Sequence, residues 1–122
     1  MCGRRDASLV LDDIVAAATR LTELGEHLPV RGVPDRDTAD MVLWNLTVLG
    51  EAAKRLESDV RSRFAGVAWS AMAGTRDVVV HHYEGVDWEI VTRVVREDLP
   101  AVLPELTAIR DQLRTEYDRE PE

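Results

Sequence analysis

"SAMAGTRDVVVHHY", Ser70 to Tyr83, is the stretch whose reading decides the fold. Its three consecutive valines, Val78 to Val80, have the β-branched shape that strands favour. Ser70, or a residue just before it, is placed to open a helix by accepting from free backbone amides. A single strand in an otherwise helical chain would leave its ladder groups without a partner. The segment is therefore read as a buried helix, and the whole chain becomes all-α.

Towards the N-terminus, "VRSRFAGVAW" (Val60 to Trp69) is turn-like around Gly66, with room for a short extra helix near Val60 to Phe64. Before it, "TADMVLWNLTVLGEAAKRLES" carries apolar residues at Met41, Leu43, Trp44, Leu46, Val48, Leu49, Ala52, Ala53 and Leu56, too many for one narrow stripe. Such a helix is covered on more than one side. Trp44 is a candidate contact for a second subunit, and the small residues of "GEAA" let another helix come close. Asp37, ending the loop "PVRGVPDRD", is expected to cap this helix. A first amphipathic helix spans Ser8 to Leu28, its stripe formed by Val10, Ile14, Ala17, Leu21, Leu24 and Leu28.

Towards the C-terminus, Gly85 is expected to supply a left-handed stop and Asp87 a cap for the final helix. Pro100 has no amide to donate, so a kink or break is expected near Asp98 to Pro100. The acidic end, residues 116–122, is expected to fray. The pattern predicts one domain over residues 1–122, a four- to five-helix antiparallel bundle.

At 122 residues and 45% hydrophobic content the chain can build a core without metals or disulfides. Its single cysteine, Cys2, cannot form an internal disulfide, and no stretch approaches the roughly 20 apolar residues of a membrane span. The N-terminus lacks the apolar run of a signal peptide, so a cytoplasmic location away from the membrane is expected. A net charge of -8 argues against coating nucleic acid through a general field. It leaves room for a local basic cleft, because Arg55, Arg61, Arg63, Arg76, Arg93 and Arg96 fall in the middle and later chain. There is no glycine-rich phosphate loop, no HExxH and no zinc-type Cys/His spacing, so neither metal nor cofactor is expected.

The candidate chemistry lies at Arg76 and His81, an Arg-x4-His pair followed by Tyr83. The spacing alone is weak, since about 0.3 such pairs arise by chance at this composition. On an ideal helix the two side chains point about 140° apart. Convergence requires the helix to end near His82, or a second copy of the site across a dimer axis. The groups suit RNA, whose 2′-hydroxyl is an internal nucleophile. A histidine moves protons at the 2′- and 5′-oxygens, and a guanidinium holds the phosphate. Asp77 is placed to orient either partner, and Tyr83 offers a phenol that binds substrate or accepts a modifying group. Glu51, a carboxylate on an apolar helix, needs either an arginine across the cleft or water. Lys54 and Arg55 read as surface charges that also suit an RNA path. His27 reads as solvated, His82 as a solvated neighbour and a candidate cleft residue beside Glu51, and Trp44, Trp69 and Trp88 as packing residues.

At this point the chain resembles the HepT toxins of the HEPN superfamily (higher eukaryotes and prokaryotes nucleotide-binding). The blocks "NLTVLGEAAKRL", "WSAMAGTRDVVVHHYEGVDWEIV" and "REDLPAVLPEL" stand in the family's order. The family motif is Arg, a polar residue, three further positions, His, any residue, Tyr; Arg76, Asp77, His81 and Tyr83 match it. Two departures are Glu84, where many relatives have Phe, and His82 in the free position. The resemblance implies a homodimer with both motifs facing one cleft, acting as a metal-independent endoribonuclease toxin. It also implies an MNT-type nucleotidyltransferase antitoxin that neutralises the toxin by complex formation and by transferring AMP to Tyr83. The net charge and Glu84 speak for an alternative, a non-catalytic helical module that binds this partner and is modified by it.

Overall fold

Every regular element in the computed structural model, which describes residues 4–81 and 85–119 with backbone alone at 4–6 and 78–81, is helical. α1 (Arg4–Gly25) begins earlier than its apolar stripe suggested and ends earlier. Leu11, Ile14, Ala18 and Leu21 have no exposed surface, whereas Val10 is only partly covered. Each fully buried leucine or isoleucine contributes roughly 1.5–3 kcal/mol of burial. The loop to the next helix contains Gly32, whose φ of 88° places it in the left-handed region.

α2 (Arg36–Arg55) is capped by Asp35, not by Asp37, which lies inside its first turn. One Asp35 oxygen accepts the Thr38 amide at 3.1 Å and the other the Thr38 hydroxyl at 2.7 Å. The free amides belong to the second and third helical residues, so with Arg36 opening the helix only Asp35 stands at the right distance. Residues from Val42 to Ala53 are buried on two sides, because α2 packs against α1 on one flank and α4 on the other. Among the apolar residues of this span Trp44 is the exposed one, at 67%, and so is no packing residue within the chain.

α3 (Ser58–Arg63) is the short extra helix. Trp69 is buried behind it, donating its indole N–H to the Phe64 carbonyl at 3.0 Å. α4 (Trp69–His81) then runs straight through Val78 to Val80, which are helical as expected. After it, Asp87 caps α5 (Trp88–Arg93) by accepting from the amides of Glu89 at 3.0 Å and Ile90 at 3.3 Å. Gly85 does not adopt the left-handed conformation expected of it; among the described residues Gly32 does.

α5 continues into a π-helical turn, Val94–Asp98, and then α6 (Leu99–Arg119). The irregularity expected near Pro100 is thus a widened turn and not a break. A proline ring crowds the carbonyl four residues back, and the π turn spreads the backbone just where that carbonyl, of Arg96, lies. Pro104 sits within α6 without interrupting it. The acidic stretch expected to fray is helical as far as Arg119, and Arg63 holds Glu116 through two contacts, one of 2.8 Å. α1 lies against both α2 and α6, so the bundle core is built around α1. Among the described residues no helix is long and apolar enough to cross a membrane, and no three His, Cys, Asp or Glu side chains converge as a metal site.

Candidate functional site

The contact between α2 and α4 positions the charged residues. Gly50 makes it: a Cβ there would stand 2.5 Å from Arg76 Cβ and 2.6 Å from Arg76 N, closer than real side chains approach. One residue earlier on α4, the Thr75 hydroxyl lies 2.7 Å from the Met72 carbonyl and 3.1 Å from the Leu46 carbonyl of α2. Its single proton is shared between an intrahelical acceptor and one across the interface. The small residues of "GEAA" therefore do admit a second helix, and it is the helix carrying Arg76.

Next to Gly50, Glu51 forms an ion pair with Arg76 through Oε1 and Nε. That Nε is enclosed, and the contact is ionic without hydrogen-bond alignment. Arg76 Nη1 lies 3.5 Å from Asp77 Oδ1, and the same oxygen accepts from Lys54 Nζ at 2.6 Å. The result is a four-membered chain of alternating charge: Glu51, Arg76, Asp77, Lys54. α2 supplies its two ends from positions three apart, which share a helix face, and α4 supplies adjacent Arg76 and Asp77. Lys54 and Arg76 together hold the Asp77 carboxyl below the usual carboxylate range, the hydrogen bond from Lys54 being the larger cause.

All four side chains are between 35% and 49% exposed. Exposed pairs of this kind add little stability. Their effect is orientation, with Arg76 lying flat along α2 and still reachable from solvent.

Of the two options for Glu51, the structure shows the paired one, with the arginine in the same chain. Asp77 does touch Arg76, but its shorter contact is to Lys54, a residue the sequence offered as a surface charge suited to an RNA path and not as a partner of Asp77. The signal was present: Lys54 stands one turn beyond Gly50 on α2, on the side α4 approaches. Arg55 turns the other way and pairs with Asp13 of α1 at 2.8 Å. His27 is exposed, as expected. His81 is the last described residue of α4, about 7.5 Å along the axis from Arg76. Its side chain lies outside the described residues, as do His82, Tyr83 and Glu84 altogether.

A part-exposed guanidinium placed at a helix contact can bind an anionic oxygen. A family model described as "Ribonuclease HepT-like" matches residues 14–117 of the chain. A Methanocaldococcus jannaschii protein named "Putative RNase MJ1380" is 27% identical over 107 residues, covering 87% of this chain and 98% of that one. A Thermococcus cleftensis protein named "Probable ribonuclease HepT" is 29% identical over 101 residues, covering 82% of this chain and 92% of that one. A second M. jannaschii protein, named "Putative RNase MJ0127", is 36% identical over 75 residues, 62% of each chain. No solved structure matches the chain.

Proposed function

Because this chain belongs to the HepT-like ribonuclease family, we propose that it is a metal-independent endoribonuclease acting as the toxin of a toxin–antitoxin pair. The observation that supports this most is Arg76, held at the α2–α4 contact, part-exposed, on the helix that ends with His81. In the reaction proposed, His81 takes the proton of an RNA 2′-hydroxyl as that oxygen attacks the adjacent phosphorus. The P–O5′ bond breaks, and the 5′-oxygen leaves with a proton, delivered by His81 or its copy. Arg76 binds the non-bridging phosphate oxygens and neutralises the charge that grows there. The phosphate competes with Glu51 for the guanidinium.

The two groups diverge on α4 by about 140°, so the working site is a cleft between two copies of the chain. The partner of this homodimer is a nucleotidyltransferase antitoxin of the MNT type, which binds the toxin and transfers AMP to Tyr83. An adenylate there adds bulk and negative charge two residues from His81, which obstructs an incoming phosphate.

A second reading draws on the same charges. Arg76 touches two carboxylates, Glu51 and Asp77, and the chain carries a net charge of -8; both favour a non-catalytic module that only binds the nucleotidyltransferase. One experiment separates them. Purified protein free of AMP is incubated with cellular RNA in parallel with His81→Ala, and its intact mass is followed after co-expression with the neighbouring nucleotidyltransferase. Cleavage lost in His81→Ala supports the ribonuclease. No cleavage by either protein, with an AMP-sized mass gain abolished by Tyr83→Phe, supports the module.

A further inference from the structure

Away from the Arg76 cluster, a groove of about 470 Å³ lies between α3 and the start of α4. One wall is a single face of α3 and the turn after it: Ser58, Arg61, Ser62 and Ala65 recur at helical spacing. The other wall is Ala68, Ser70 and Ala71, over a floor that includes buried Trp69. In a chain with 23 acidic residues, none lines this groove.

Arg61 is the anomaly. It is half-buried, and its Nε is enclosed without a hydrogen-bond partner. Neighbouring Arg63 differs in this respect, being held by Glu116. An enclosed guanidinium nitrogen without an acceptor is costly, and Arg61 shares the groove with three hydroxyls, of Ser58, Ser62 and Ser70. The indole N–H of Trp69 is already committed to Phe64, so it is not among the donors. Two amides add to them: Ala68 precedes α4 without a capping oxygen, and among the described residues Ser70 N and Ala71 N find no acceptor. The groove thus collects donors and one positive charge, with no carboxylate.

We propose that the Arg61 groove binds a phosphate group of the RNA substrate, at a nucleotide away from the one cleaved. The proposal rests on the ribonuclease reading for the identity of the ligand. Ser70 lies six residues before Arg76 on α4, about 9 Å along the axis and about 120° around it, so a strand that reaches both wraps partly around the helix. The guanidinium forks onto two phosphate oxygens and the serines take the remainder. With the arginine and the serines engaged by the phosphate, the contact is sequence-independent.

The test is binding of a fluorescein-labelled 12-nucleotide single-stranded RNA to the full chain over a salt series. Arg61→Gln removes the charge and keeps the stem. Arg20→Gln on α1 removes an equal charge away from the groove. Arg61→Gln is expected to bind about tenfold more weakly, with a salt slope smaller by about 0.7, while Arg20→Gln stays within about twofold of the parent. Circular dichroism confirms that each variant is folded. Equal effects of the two variants would overturn the groove. Unchanged RNA binding, with AMP or inorganic phosphate bound in an Arg61-dependent way, would also overturn it and assign the groove to a free ligand. A parent chain that binds no RNA defeats both the groove and the ribonuclease reading. Arg61-dependent binding by a parent that never cleaves RNA keeps the groove and removes only the catalysis.

Discussion

Replacing Gly50 with alanine tests the geometry on which the site depends. The new methyl would stand 2.5 Å from Arg76 Cβ, 2.6 Å from Arg76 N and 3.0 Å from Thr75 Oγ1. Ordinary contact begins at 3.4 Å, and neither of the closest atoms is the tip of a flexible side chain. The helices must therefore separate by about 1 Å, an overpacking cost of about 1–3 kcal/mol. Alanine recovers about 1 kcal/mol of helix propensity, which leaves a net loss of about 0–2 kcal/mol, at roughly 3–5 °C of Tm per kcal/mol. Arg76 moves with α4, and a displacement of that size lowers RNA cleavage by about 100-fold. Gly74→Ala is the internal control. It lies on the same helix with nothing within 4 Å of the added Cβ, so it should gain about 0.5–1 kcal/mol and leave cleavage intact. Urea melts and single-turnover cleavage of a labelled RNA report both quantities. If Gly50→Ala matches the parent in stability and rate, the separation of α2 and α4 is not set at Gly50 and the reasoning fails.

Asp77 carries a pH signature. Its folded pKa is depressed by Lys54 and Arg76, so its stabilisation is present above the ordinary carboxylate pKa and is lost as pH falls through the lowered value. Tm curves of the parent and Asp77→Asn should differ near neutrality and converge in acid; a constant gap would show that the ion pairs are not the cause. At the start of α2, Asp35→Ala should lower Tm while Asp37→Ala leaves it nearly unchanged, because Thr38 bonds to Asp35 alone; thermal melts giving the reverse order would return the cap to Asp37. Trp44→Glu should convert the proposed dimer to monomer in sedimentation without lowering the monomer's secondary structure, since Trp44 is 67% exposed in the single chain; an undiminished dimer would remove Trp44 from the interface.

The helices were legible because burial leaves periodic traces. α2 announced two buried sides through sheer apolar density, and Asp87 announced α5 through its place before a helical run. Val78 to Val80 were decided by context, since a β-branched run has no partner strand in an all-helical chain. The cap at Asp35 was not legible, because "DRD" offers two equivalent acids and only the starting residue of the helix separates them. At Pro100 the sequence announces a missing amide, yet whether the backbone breaks or widens depends on what packs on either side. Glu51 and Arg76 could be singled out, but not joined. Their pairing is a long-range contact fixed by Gly50, whose role shows only when two helices are brought together. Trp44 illustrates the opposite limit, because an apolar side chain on a crowded helix looks the same whether its cover is the chain's own core or a second copy.

The contact at Gly50 also bears on what the site must do at the moment of reaction. The stem of Arg76 is located by excluded volume, its Cβ and amide nitrogen set close to Gly50 of α2, while the exposed charges orient only its guanidinium. A side chain placed by ions must be re-placed when those ions are exchanged, and that rearrangement adds to the barrier. One whose stem is placed by packing need not be: the carboxylate of Glu51 can give way to a phosphate while the stem of Arg76 stays where it is. In the reaction proposed above, the glycine thus lowers a reorganisation energy without touching the reactants.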